Sequence, residues 1–73
     1  MTFEDFRNDV FEAINDKPSH WRDGQTVFNF IDEVYGVARH VQFYDHIDCF
    51  HDDEQIEAFI VAAYNQIKTL EFE

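Results

Sequence analysis

Positive charge is scarce in this 73-residue chain: five Lys and Arg face 16 Asp and Glu, for a formal net charge of −11 at pH 7. A surface this acidic repels phosphate backbones and anionic lipid, which argues against direct nucleic-acid binding and against attachment to a membrane. The single cysteine, Cys49, has no partner for an internal disulfide, and a lone thiol suits a reducing, cytoplasmic setting. One proline and two glycines are too few for a linker, a low-complexity tract or a glycine-rich phosphate loop. No apolar run approaches the length of a membrane span. The opening MTFEDFRNDV lacks the basic and apolar regions of a secretory signal, so none is expected. Also missing are CxxC, HExxH and Gly-x-Ser-x-Gly, whose spacings carry zinc or nucleophile chemistry. The expectation is a non-enzymatic chain with no catalytic residue, no cofactor and no metal.

What the chain has in abundance is aromatic surface: nine Phe, three Tyr and one Trp. A chain of this size buries only about 60% of its unfolded surface, so it needs a rich core to fold as one domain. Each buried aromatic removes about 150–250 Å² from water, and few are required. A single domain over residues 1–73 is therefore expected, with the acids outside.

The middle of the chain, Trp21 to Gly36, carries the cleanest helical period. Val27, Phe28, Ile31, Val34 and Tyr35 share one face, which predicts a helix over 24–35 capped by Asp23, with Gly36 as its left-handed terminator. Before it, Thr2 can cap a helix whose stripe is Phe3, Phe6, Val10, Ala13 and Ile14. That helix ends at Asp16-Lys17-Pro18-Ser19, because the residue before proline avoids the helical region. After Gly36 the pattern alternates in part. Residues 37–43 and 47–51 predict a β-hairpin turning at Tyr44-Asp45-His46, with Val37, Val41, Phe43, Ile47 and Cys49 facing inward. Asp52, with Gln55 reaching back, opens a last helix striped by Ile56, Phe59, Ile60, Ala63, Ile67 and Leu70. Glu71-Phe72-Glu73 is expected to fray. The predicted class is α+β, in the order ααββα.

Three groups of residues are candidates for function. Asp5, Asp9, Glu12 and Asp16 form an acidic row on the first helix, which is either a solvated face or a docking surface for something basic. Phe11, Phe30, Phe50 and Val61 fall off the apolar stripes and form either extra core or an interface, with a partner or in a homodimer. His46, Asp48, Cys49, His51, Asp52 and Asp53 are the densest polar cluster, but they lack any strong ligand spacing.

Trp21-Arg22-x-Gly24-Gln25-x-x-Phe28-Asn29 and Asp48-x-Phe50-x-Asp52-Asp53-x-x-Ile56-x-x-Phe59 resemble a group of small, uncharacterised proteins of bacteria, phages and prophages. These share an R-x-G-Q-x-x-F-N segment and a later D-x-F-x-D-D segment. The likeness covers residues 21–59. It departs at His51, where tyrosine is usual, and at Cys49, where proline usually precedes the Phe. The group has no assigned activity, so the resemblance implies only a compact accessory protein in a bacterial or viral cytoplasmic setting. Arg22 and Gln25 can bond to backbone carbonyls or to Asp52 and Asp53, and Phe28 can meet Phe50. Trp21, Arg22, Gly24, Gln25, Phe28, Asn29, Phe50, Asp52 and Asp53 would then make one structural joint. The alternative is an exposed recognition site built from Arg22, Gln25, Asn29 and Asp53. The functional expectation is an acidic accessory factor that binds a basic protein partner, with Asp5, Asp9, Glu12, Asp16, Phe11 and Phe30 as its contact residues. The rival is a nucleic-acid mimic that blocks a host nuclease or DNA-binding protein, and a metal-binding or catalytic unit ranks last.

Overall fold

The computed structural model describes residues 1–71. The described residues form four α-helices: α1, Phe3–Asn15; α2, Asp23–Tyr35; α3, Ala38–Tyr44; and α4, Ile56–Glu71. A 3-10 turn, Asp53–Gln55, leads into α4. The helix α2 is the centre: it touches α1, α3, α4 and the 3-10 turn.

The N-terminus of α1 forms as its sequence predicts. The Asp5 N–H donates to Thr2 Oγ1 at 3.1 Å, and the Thr2 N–H donates to Asp5 Oδ2 at 3.4 Å, a reciprocal box that satisfies two free donors. Phe6 and Val10 are wholly buried, while Ala13 and Ile14 are half-buried. In α2, Val27, Phe28 and Ile31 are buried, and Gly36 takes φ 72° to donate to the Ile31 and Asp32 carbonyls at 3.0 and 3.1 Å. Two details differ from expectation. Asp23 is the first helical residue, not the cap. Val34, at the margin of the stripe, is 59% exposed.

The α+β architecture is overturned. Among the described residues there is no strand, and residues 38–44, expected in the hairpin's first strand and turn, are helical. The reason lies in three neighbours: Val37, Ala38 and Val41 are all buried. A strand would send Val37 and Ala38 to opposite faces, whereas positions i, i+1 and i+4 share one face of a helix. The same choice exposes Arg39 and leaves Phe43 outside at 67%, where a strand was expected to bury it. A lone hairpin would also present two unpaired edges, which a short helix avoids by closing its own hydrogen bonds. The second expected strand is an irregular segment, with His46 at φ 58°, Ile47 half-buried and Cys49 fully buried.

Asp52, expected to cap the last helix, instead caps the 3-10 turn before it, accepting from the Glu54 N–H at 3.0 Å, and α4 starts only at Ile56. The Gln55 side chain donates to the Asp52 carboxylate at 3.2 Å and accepts from the Asp48 N–H at 3.2 Å. Phe59, Ile60, Ala63 and Ile67 are buried, but Leu70 is 48% exposed. Glu71 is still helical, and the expected fraying of residues 72–73 lies outside the described residues. No helix of the described residues is long and apolar enough to cross a membrane.

Gly36 provides the first test. Nothing lies within 4 Å of a Cβ placed there, so only the left-handed backbone opposes a side chain. Gly36→Ala is expected to lower unfolding stability by about 1–2 kcal/mol. It should appear as a lower urea midpoint with an unchanged m-value.

Candidate functional site

The helix α2 begins without a cap of its own, because the side chain of Arg22, its N-cap residue, makes no capping hydrogen bond. The acceptor comes from 29 residues later: the Gly24 N–H donates to Asp53 Oδ1 at 3.0 Å. The same oxygen takes the Arg22 guanidinium at 3.2 Å, and that guanidinium also donates to the Phe50 carbonyl. Gly24 is buried against the chain at Cys49. A Cβ on Gly24 would collide with the Cys49 carbonyl oxygen and stand 2.7 Å from Asp53 Oδ1. The Cys49 thiol donates to the Gly24 carbonyl at 3.3 Å. Beneath this contact the Phe28 and Phe50 rings meet edge to face, 5.4 Å apart. Thus Arg22, Gly24, Phe28, Phe50 and Asp53 come together. Asp52 stays with Gln55 and Glu54, and Gln25 is half-buried in the first turn of α2.

Two grooves flank α2, on the sides marked by Phe28 and Phe30, which point about 200° apart around a helix axis. The first, of about 320 Å³, is lined by Phe28, Arg39, Gln42, Phe43, Phe50 and His51. The second, of about 230 Å³, lies where the end of α1 meets α2, walled by Ala13, Pro18, Trp21, Asn29 and Phe30, with Asp16 and Glu33 also lining it. Lys17 closes its end, donating to the Trp21 carbonyl at 2.6 Å and lying 3.8 Å from Asp23. The acidic row borders this second groove through Asp16. Phe11 does not: it sits one turn beyond Arg7, which covers its ring at 4.5 Å and crosses to Glu57 of α4. Phe11 and Phe30 both pack on the core. Sequence reasoning did not single out Ala13, Pro18 and Glu33 in the second groove, or Arg39, Gln42 and Phe43 in the first. The last three needed α3 to be read as a helix.

The electrostatics are lopsided. All five basic side chains are engaged within the molecule: Arg7 with Glu57 at 2.6 Å, Lys17 with Asp23 at 3.8 Å, Arg22 with Asp53 at 3.2 Å, Arg39 with Asp32 at 3.9 Å, and Lys68 with Glu71 at 3.2 Å. Asp5, Asp9, Glu12 and Asp16 are exposed, and none has a cation within 4 Å among the described residues. Burial first, and then the negative charge of Asp9, holds the Tyr35 phenol above its usual value.

The polar cluster at 46–53 does not converge. Asp48 binds the His51 ring at 2.8 Å, Asp52 caps the 3-10 turn, and Asp53 faces Arg22 and Gly24. Burial raises the Asp48 carboxyl, but hydrogen bonds from the His51 ring and backbone and from Gln42 outweigh it and hold the group below its ordinary value. Burial, with the charges of Asp48 and Asp53, pushes the Cys49 thiol up to about 12, so it is a protonated core group and a poor nucleophile. Among the described residues no three His, Cys, Asp or Glu side chains are placed to hold a metal ion.

Compared with known proteins, the chain matches no family model, no curated protein and no solved structure.

Two measurements test this arrangement. Alanine is the better helix former, yet Gly24→Ala is expected to cost about 1–3 kcal/mol by forcing α2 off the Cys49 backbone. Equilibrium unfolding reads the sign directly. Cys49 should resist alkylation at mildly alkaline pH until the chain unfolds. Because its folded pKa lies above that of a free thiol, its contribution to stability is intact below the unfolded pKa. That contribution is lost as pH rises toward about 12.

Proposed function

We propose that this chain is a small, non-enzymatic accessory factor of bacterial or phage origin, working in the cytoplasm. It docks a basic protein partner through the acidic face of α1. One observation carries the reading: every Lys and Arg is engaged in an intramolecular pair, while Asp5, Asp9, Glu12 and Asp16 stand exposed without one. Like charges three and four residues apart oppose an isolated helix, so the row is a cost to α1 that its buried Phe6 and Val10 must outweigh. A basic partner removes that cost, and the net charge of −11 speeds its encounter by long-range attraction.

Nucleic-acid mimicry is the weaker alternative, because the charge density is too low. Four carboxylates spread over eleven helical rises span about 16.5 Å, or one charge per about 5.5 Å. Duplex DNA carries one per about 1.7 Å. A protein shaped to grip a duplex would find too few charges on this row.

The test is capture of partners from host lysate on immobilised protein, wild type against Asp9→Asn, Glu12→Gln, Asp16→Asn. These three positions are exposed and outside the Thr2 cap, so the fold should survive and α1 gain a few tenths of a kcal/mol. The expected result is a basic protein held by the wild type at low salt, lost from the variant, eluted by high salt and not displaced by duplex DNA. Retention by the variant would remove the acidic row from the reading. Displacement by DNA would favour mimicry.

A further inference from the structure

The second groove specifies more than charge. Its volume of about 230 Å³ falls short of the roughly 300–1,000 Å³ of small-molecule pockets and suits a single side chain. Ala13, Pro18, Trp21 and Phe30 give it apolar walls, and Thr26, Asn29 and Lys17 line it as well, the Lys17 ammonium being held by the Trp21 carbonyl and lying 3.8 Å from Asp23. Asp16 and Glu33 complete the lining, and neither has a cation within 4 Å among the described residues. Asp16 is both a groove residue and the last member of the acidic row, so an occupant of the groove continues onto the row. The row itself has a period. Asp5 and Glu12, like Asp9 and Asp16, are seven residues apart, the repeat by which two helices stay in step along their lengths. Four same-face side chains on an extended strand would span about 20 Å against the row's about 16.5 Å, whereas a helix with cations at the same intervals matches it throughout.

The geometry points to a basic α-helical segment of the partner as the occupant, with one large apolar side chain seated between Trp21 and Phe30 and its Lys or Arg residues laid along Asp16, Glu12, Asp9 and Asp5. This rests on the basic-partner reading above and adds to it an anchor, a register and a secondary structure. Charge supplies the encounter, and the buried apolar side chain supplies the hold.

Trp21 is the only tryptophan and lines the groove, so its emission reports occupancy directly. The probes are three synthetic peptides with Lys at helical intervals of four, three and four residues. One carries Phe a turn beyond the last Lys, the second Ala in its place, and the third Phe with a central proline. Affinity is measured calorimetrically at low salt, with Trp21 emission followed in parallel. The Phe peptide is expected to bind at least about tenfold more tightly than the other two and to be the one that shifts Trp21 emission to the blue. Ala13→Phe, which fills the groove from the α1 wall, should reduce the Phe peptide to the affinity of the Ala peptide. Phe30→Ala should do the same where circular dichroism shows the helices intact. Equal affinities for the Phe and Ala peptides with unmoved Trp21 emission would overturn the groove and leave the basic-partner reading standing. Equal binding of the proline peptide would overturn the helical form. Failure of all three to bind at low salt would remove both this inference and the reading beneath it.

Discussion

The structure depends on a close approach between two backbones, at Gly24 and Cys49. The helix α2 is the element on which every other one packs, yet its first turn has no cap in its own sequence. The missing acceptor is Asp53, and it reaches Gly24 because residue 24 has no Cβ to hold the Cys49 carbonyl away. Arg22 completes the contact by holding the Asp53 carboxylate and the Phe50 carbonyl at once. The burial of Cys49 and the edge-to-face contact of Phe50 with Phe28 follow from that approach. The joint therefore fixes where α4 starts relative to α2, and it brings Phe50 to the wall of the first groove.

A second consequence is electrostatic. A chain with so few cations spends Arg22 on the joint, Lys17 on the turn after α1 and Arg7 on the contact between α1 and α4. Exposed pairs of this kind add little stability each. Their larger effect is on the distribution of what remains: carboxylates near the packing contacts are neutralised, and the outer face of α1 keeps its full charge. Phe30, on the flank of α2 away from Phe28, then places a groove of mixed apolar and acidic lining beside that face.

Much of this was legible in the sequence, and the failures have physical causes. The start of α1, its end, the end of α2 and the turn leading into α4 follow from Thr2, Pro18, Gly36 and Asp52, residues whose backbone preferences are strong and local. The α3 segment was misread because Val37, Val41 and Phe43 satisfy two periods at once. Ala38 decides between them, since its small side chain is buried beside Val37, and alternation cannot place both inside. Val34 and Leu70 were misplaced for a related reason: helical spacing says which residues share a face, not how far along the helix the core extends. The grooves were illegible because each is assembled from separate segments whose relative placement is set by tertiary contacts. Trp21, Asn29 and Phe30 were visible as residues, but not as neighbours of Ala13 and Asp16.

The short connection after α2 has a corollary for α3. Only Gly36 and Val37 separate α2 from α3, while eight residues, 45–52, lead away from its other end, and of these Cys49 and Phe50 are pinned by the joint. The near end of α3 is thus set by α2, and its far end by the Ile47 N–H turning back to the Val41 carbonyl and by the packing of α3 on α4. Burial falls along this stretch: Val37, Ala38 and Val41 are enclosed, while Phe43 and Tyr44 are 67% and 75% exposed at the far end. The Phe28–Phe43 cleft is therefore edged by the exposed end of α3, whereas the Trp21–Phe30 cleft is walled by α1, α2 and the Pro18 turn.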